Sequence, residues 1–327
     1  MILAGDVGGT KSVLALFEKA GGGLKQVREE TFLNREFESF KPILAKFLRD
    51  ETAISLSVGC IGAAGTVIDG RCRLTNIDWE MDERALARTL ATPRVKLLND
   101  LEAAAYGMLH LKSDELTVLN PGAGPRRKGH VAVIAAGTGL GEAMLFWDGK
   151  WHHPVASEGG HADFAPRTDQ EIALLRYLSS KLGGRVSYER VLSGPGLFNI
   201  YGFLRDSGVA EEPPWLAAKL REGDPSATIS EIGLAGEDPL CVFALDLFSS
   251  IYGAEAGNLA LRCLAIGGVF VGGGIALKIL PALRNGSFMR AFTDKGRFSD
   301  LMGSVMVSVA LNPRAPLLGA AHFALRL

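Results

Sequence analysis

The segment Ala4-Gly5-Asp6-Val7-Gly8-Gly9-Thr10-Lys11 is bracketed by apolar runs, and those flanks constrain the fold more than the glycines do. Ile2-Leu3-Ala4 precedes it, and Ser12-Val13-Leu14-Ala15-Leu16-Phe17 follows with no capping residue and no helical period. Strand, turn, strand is the reading. A dinucleotide fingerprint is excluded, because it needs a helix after its glycines to aim N–H groups and a positive dipole end at pyrophosphate. In a hairpin the turn's own backbone amides form the anion-binding concavity. Glycine is needed there because a Cβ would block a phosphate oxygen and forbid positive φ. Gly8, Gly9 and Thr10 are therefore candidate phosphate contacts, and Asp6 offers Mg²⁺ a hard oxygen through metal-bound water. A tight turn beside a solvated aspartate is the plain alternative.

The chain repeats the device. About 130 residues later, Val131–Ala136 leads into Gly137-Thr138-Gly139, and Leu140 to Trp147 reads as a second strand. A third turn, Gly272-Gly273-Gly274, follows Val269-Phe270-Val271 and precedes a helical segment from Ile275 to Leu283. With 40 glycines in 327 residues these turns could be ordinary loops, but each sits at a strand end. Two similar halves with a phosphate hairpin each suit one nucleotide in a cleft between two domains. That arrangement resembles the actin, Hsp70 and hexokinase superfamily, which implies an α/β fold of two actin-like, ribonuclease-H-like domains.

Length agrees, since 327 residues exceed the ~150 typical of one domain. At 47% hydrophobic the chain can bury a sizeable core, and its apolar stretches are broken well before the ~18 residues of a membrane span. A net charge of −1 from 35 basic and 36 acidic residues argues against a nucleic-acid surface. The one basic cluster, Arg126-Arg127-Lys128, reads as a solvated turn in a Pro/Gly loop. With no signal peptide ahead of the first strand, a cytoplasmic protein is expected. Cys60, Cys72, Cys241 and Cys263 show no CxxC spacing and read as reduced, buried thiols.

Along the chain, a third strand near Lys25–Phe32 precedes a helix from Glu36 to about Arg49, with Phe37, Phe40, Leu44, Phe47 and Leu48 on one stripe. A strand near Ile54–Gly62 runs into Ala63-Ala64-Gly65. After a helix near Asp82–Leu90, the strand Val95–Leu98 ends at Asn99-Asp100, and Leu101 to Leu111 is helical. The second half repeats this order, and its longest helix runs from Pro239 to about Leu264 with Asp238 as N-cap. The expected small N-terminal domain covers residues 1–111 and the larger one 112–312, with a terminal helix near 313–327 packing back onto the first.

Asn99 and Asp100 sit where a strand ends and a helix begins, the place where α/β sheets hold ligands. Asp100 can orient and deprotonate a hydroxyl nucleophile, and Asn99 offers a donor and an acceptor to neighbouring hydroxyls. Helix capping is the structural alternative, and the two roles can coexist. Glu158-Gly159-Gly160-His161 is a polar, glycine-hinged loop that can place both side chains in one pocket. Glu189, in Glu189-Arg190-Val191-Leu192-Ser193-Gly194-Pro195-Gly196, adds a carboxylate before a helix, though taken alone such a residue is more often a surface residue or a salt-bridge partner of Arg190. Together Asn99, Asp100, Glu158, His161 and Glu189 form acceptors suited to a polyhydroxylated ligand. His152-His153 reads as surface.

Val131–Gly141, Ser157–Pro166, Tyr188–Gly196 and Lys295-Gly296-Arg297-Phe298 resemble the bacterial glucokinase family of the hexokinase clan, and the resemblance runs end to end. It implies ATP-dependent phosphorylation of glucose to glucose 6-phosphate, with Mg²⁺. Asp100 then corresponds to the family's catalytic base. Asn99, Glu158, His161 and Glu189 correspond to its glucose ligands. Gly8, Gly9, Thr10, Gly137, Thr138, Gly139, Gly273 and Gly274 correspond to its ATP site. A homodimer is the family expectation. The related repressor and kinase group carries a zinc-binding cysteine cluster after its Gly-His; here Asp163-Phe164-Ala165-Pro166 follows, so structural zinc is not expected. A broader hexokinase, a manno- or fructokinase, a polyphosphate-using enzyme and a non-catalytic sugar-sensing regulator remain the alternatives. The regulator would need a DNA-binding module ahead of Ile2. A cleft between halves also implies that sugar binding closes it.

Overall fold

The computed structural model describes residues 1–21, 23–49, 55–124 and 127–327. They form two compact units: residues 1–115, 152–156 and 312–327, and residues 116–151 and 157–311.

In the first unit the opening hairpin is β1 (Ile2–Val7) and β2 (Lys11–Ala20), with Asp6 opposite Val13. The chain continues into β3 (Gly23–Leu33), then β4 (Val58–Ala63), the small antiparallel strands β5 (Val67–Ile68), β6 (Arg71–Arg73) and β7 (Glu80–Asp82), and β8 (Val95–Asn99). The main sheet runs β3-β2-β1-β4-β8, antiparallel through β1 and parallel from β1 to β8. Side chains alternate across β1: Leu3 and Val7 join a core with Phe40, Ile43, Leu44 and Phe47, while Ile2 and Ala4 face Ala103, Leu317 and Ala320. On that second face the helices Asp100–Met108 and Ala315–Ala324 cross at glycines. A Cβ on Gly107 would strike the Ala315 carbonyl, and one on Gly319 the Ala103 carbonyl. This close packing fixes the helix that begins at Asp100.

The second unit repeats the pattern with β9 (Leu116–Asn120), β10 (Val131–Ala136) and β11 (Leu140–Trp147). A short strand β12 (His152–Val155) belongs to the first unit, and β13 (Val269–Gly272) and β14 (Val307–Ala310) complete the second. Along its sheet the order is β11-β10-β13-β14-β9. Again a hairpin is antiparallel and the next two pairings are parallel, β10 to β13 and β13 to β14. Helix Pro239–Arg262, capped by Asp238 on the Cys241 N–H, packs behind the sheet. By length and composition it could cross a membrane, a possibility not anticipated from sequence, but 78% of its most apolar window is buried in the protein.

Three expectations shift. The helix expected from Glu36 runs Phe40–Leu48, because Ser39 is extended at its N-cap and a 3₁₀ turn takes up Asn34–Glu36. Its buried stripe includes Ile43, while Phe37 lies ahead of the helix and meets Phe32 edge-on. The segment expected as one helix from Ile275 to Leu283 is two, Gly273–Lys278 and Leu280–Leu283, since Pro281 has no N–H to continue the ladder. The strand expected from Ile54 begins at Val58; Ile54 itself, Pro125 and Arg126 lie outside the described residues.

Candidate active site

Asn99 closes β8 and caps the next helix. Its side-chain oxygen accepts the N–H groups of Leu101 (2.9 Å) and Glu102 (3.4 Å), and Glu102 reaches back to the Asn99 N–H (2.9 Å). The amide nitrogen of Asn99 donates to the Gly65 carbonyl at 3.1 Å. Asn99 is thus first a structural cap, with Asp100 set in the first turn, where the helix dipole favours an anion. The Asn-x-x-Glu spacing was a readable capping box, and Glu102 is the residue that sequence reasoning missed.

Asp6 lies on β1, whose neighbour β4 carries Gly62. A Cβ on Gly62 would meet Ala103 and approach the Asp100 backbone, so glycine lets the Asp100 helix settle onto the sheet. Burial first, and then the Asp100 charge, push the Asp6 carboxyl up from 3.8 to about 6, while the Lys11 charge opposes them. Two carboxylates whose charges oppose each other in a buried setting fit a divalent cation, which relieves both causes. The turn after Asp6 is braced by buried Asn34, which donates to the Gly8 carbonyl (2.8 Å) and accepts from the Ser12 hydroxyl (2.7 Å). The Gly8 N–H itself closes the turn on the Lys11 carbonyl. Gly9 packs on Asn76, against whose Cβ a methyl would press at 2.8 Å.

In the second unit Gly137 behaves likewise, its N–H donating to the Gly139 carbonyl and its carbonyl accepting from Gly194. Gly273 has φ +84°, and a Cβ there would strike the Ala136 carbonyl. Beneath these turns the buried Tyr252 hydroxyl accepts the Ala136 N–H at 3.1 Å and donates toward the Ile134 or Gly272 carbonyl. A cleft of about 660 Å³ opens beside them, lined by Gly137, Thr138, Gly194, Phe198, Ser226, Ser230, Gly274 and Lys278 among others. Gly137, Thr138 and Gly274 were expected here. Phe198, Ser226 and Lys278 were not, because no local motif marks them.

Glu158 precedes a 3₁₀ turn, Gly159–His161, and both Glu158 and His161 are exposed. A Cβ on Gly160 would fall on the Leu140 carbonyl, so the turn lies flat against β11. The Tyr188 N–H donates to the Ala162 carbonyl at 2.9 Å, which places the Tyr188–Arg190 turn alongside. Glu189 accepts the Leu140 N–H at 3.1 Å, pinning the start of β11. Glu158, His161 and Glu189 are therefore gathered on adjoining turns, as Asp6, Asn99 and Asp100 are gathered in the first unit. A larger open depression of about 960 Å³ on β5–β7 is lined by Arg71, Arg73, Glu80 and Asp82, and Arg71 and Asp82 pair there at 3.3 Å. Its charges answer one another.

The protein resembles known kinases over its whole length. The glucokinase family model matches residues 3–327. A glucokinase of Synechocystis sp. is 44% identical over 98% of this chain and 96% of its own. One of Nostoc sp. is 40% identical, covering 100% of this chain and 99% of that one. The crystal structure of a glucokinase from an Antarctic psychrotroph superposes with a TM-score of 0.86 at 29% identity, covering 100% and 99% of the two chains. A capped Asn-Asp corner, two glycine hairpins in matching sheets and the Glu158–His161 turn, together with these full-length matches, place the chain in the glucokinase family.

Proposed function

We propose that the protein transfers the γ-phosphoryl group of ATP to the 6-hydroxyl of glucose. The observation that carries this reading is the Asn99–Asp100 corner: a carboxylate fixed at a helix N-terminus by a capping box, electrostatically coupled to Asp6. Phosphoryl transfer leaves a protein little covalent chemistry, so alignment and charge stabilisation are its tasks. Asp100 accepts the proton of the attacking hydroxyl. Asn99, Glu158, His161 and Glu189 hold the other hydroxyls, and Glu189 does so while tied to Leu140.

The cleft of about 660 Å³ suits a nucleoside, with Phe198 offering a face for a base and Lys278 a charge. Amides in the two hairpin turns and Gly273-Gly274 receive the phosphates, while the Gly8 and Gly137 amides close the turns. Asp6 would hold Mg²⁺, which when bound neutralises phosphate charge. A coupled assay with ATP over glucose, mannose and fructose, repeated with polyphosphate, tests the reading. Glucose with ATP is expected to give the highest kcat/KM; no turnover with any hexose would refute it.

A further inference from the structure

Directly beneath the Glu158–His161 turn lies a pair of acids with no place in the chemistry above. Glu142, on β11, is 1% exposed, and neither of its carboxylate oxygens meets a hydrogen-bond donor among the described residues. Glu255, on helix Pro239–Arg262, is fully buried and stands against it within hydrogen-bonding reach. Two ionised carboxylates cannot share such a space without a bridging proton or cation.

The only guanidinium facing them among the described residues is Arg262. It binds Glu255 at 2.7 Å but stays 3.8 Å from Glu142, beyond hydrogen-bonding distance. Tyr252 also faces Glu142, with its hydroxyl committed to backbone. Tyr188 and Lys295 face Glu255, and Lys295 donates to the Ala254 carbonyl. Burial and the Glu255 charge push the Glu142 carboxyl up to about 8.

The pair touches both sugar-side turns. A Cβ on Gly159, the residue after Glu158, would fall on the Glu142 carboxylate. Asn258 donates both to Glu255 (2.9 Å) and to the hydroxyl of Tyr188 (3.2 Å), the residue before Glu189. We propose that Glu142 and Glu255 share one proton, and that this protonated pair is a positioning element holding the Glu158 and Glu189 turns in their sugar-binding form. The proposal rests on the kinase reading and adds to it a hexose affinity that depends on the protonation of the buried pair. When the proton leaves, two facing carboxylates repel, and the Glu142 oxygens press on the backbone at Gly159.

The test is glucose binding by calorimetry at pH 7 to 9 in buffers of different ionisation enthalpy, alongside steady-state kinetics. By linkage, the wild-type glucose KM should rise up to about ten-fold from pH 7 to pH 9, with protons taken up on glucose binding above pH 8. The ATP KM should not follow. Glu142→Gln keeps the shape and donates an N–H to Glu255, so its glucose KM should stay flat over this range, with that proton uptake gone. Glu255→Gln should do the same, and it decides the matter if the first variant does not fold. A variant profile that superimposes on wild type, or a wild type that takes up no proton, overturns the positioning role. Absence of glucose binding at pH 7 would instead refute the kinase reading, and the proposal with it.

Discussion

Asp6→Asn should stabilise the protein while disabling it, and the pH dependence of that gain is the test of its cause. Burial and the Asp100 charge raise the Asp6 carboxyl from 3.8 to about 6, so the native state binds this proton more tightly than the unfolded chain does. Stability from Asp6 is therefore complete below pH 3.8 and is lost as pH rises through about 6. At ~1.4 kcal/mol per pH unit of displacement, the ionised side chain costs the fold about 3 kcal/mol at pH 8 and about half that at pH 5. Asparagine keeps the shape without the charge. Its advantage should widen over that range to a melting-temperature difference of roughly 6–12 °C at pH 8. Calorimetry without divalent cations, at pH 5, 6.5 and 8, measures the gap directly. Mg²⁺ with nucleotide should narrow it, because only the wild type gains a ligand for the cation. In an Asp100→Asn background the gap should shrink but persist, since burial is the larger cause. A gap independent of pH, or a variant less stable at pH 8, would refute the electrostatic argument.

Asp100→Asn should lower kcat by ~10²–10⁴ with glucose binding largely kept, and single-turnover kinetics near wild-type rate would remove Asp100 from the role of base. Glu158→Ala strands hydroxyls at roughly 1–3 kcal/mol, so the glucose KM should rise about ten-fold while the ATP KM holds; equal effects on both would point to misfolding. Elemental analysis of purified protein should find no stoichiometric zinc, and chelators should stop turnover only by withdrawing Mg²⁺. One zinc retained per chain would contradict this.

The hairpins, the strand-end Asn99-Asp100 and the Asp238 cap were legible because each depends on neighbours within a few residues. A β-branched flank after glycine excludes a helix start, and an Asn or Asp before an apolar period signals a cap. What stayed hidden depends on partners far along the chain. Tyr252 serves the turn after Ala136 from 116 residues away. Phe198, Ser226 and Lys278 reach one cleft from three different helices. Glu142 reads in sequence as an ordinary polar residue of a half-exposed strand; only the helix bearing Glu255 makes it a buried acid. Asn99 shows a subtler limit. The ligand reading and the cap reading were both visible, and the geometry shows its oxygen and one amide donor committed to the backbone.

The repeated sheet also explains why only one turn carries an acid. Asp6 pairs with Gly62 on the parallel neighbour of its hairpin, and Ala135 pairs with Gly272 in the same way. The scaffold positions are equivalent, down to the glycine on the adjoining strand, yet one holds a carboxylate and the other a methyl. A carboxylate at 135 would stand beside the Ala136 N–H that Tyr252 already satisfies, on the sheet face opposite to Ile134 and its register partner Glu142. Strand β14, placed relative to β10 as β8 is to β1, ends in Ala310-Leu311 where β8 ends in Asn99-Asp100, so an anion at half-buried position 135 finds no second carboxylate at that strand end with which to share a cation. The first unit meets the opposite condition, since Asp6 and Asp100 are the acids whose repulsion a cation relieves. On this argument Ala135→Asp should destabilise the protein above neutral pH and gain nothing from Mg²⁺, whereas wild-type Asp6 does gain. Thermal shifts of that variant with and without Mg²⁺ measure the contrast, and a Mg²⁺-dependent rescue of Ala135→Asp would show that the two turns are chemically interchangeable after all.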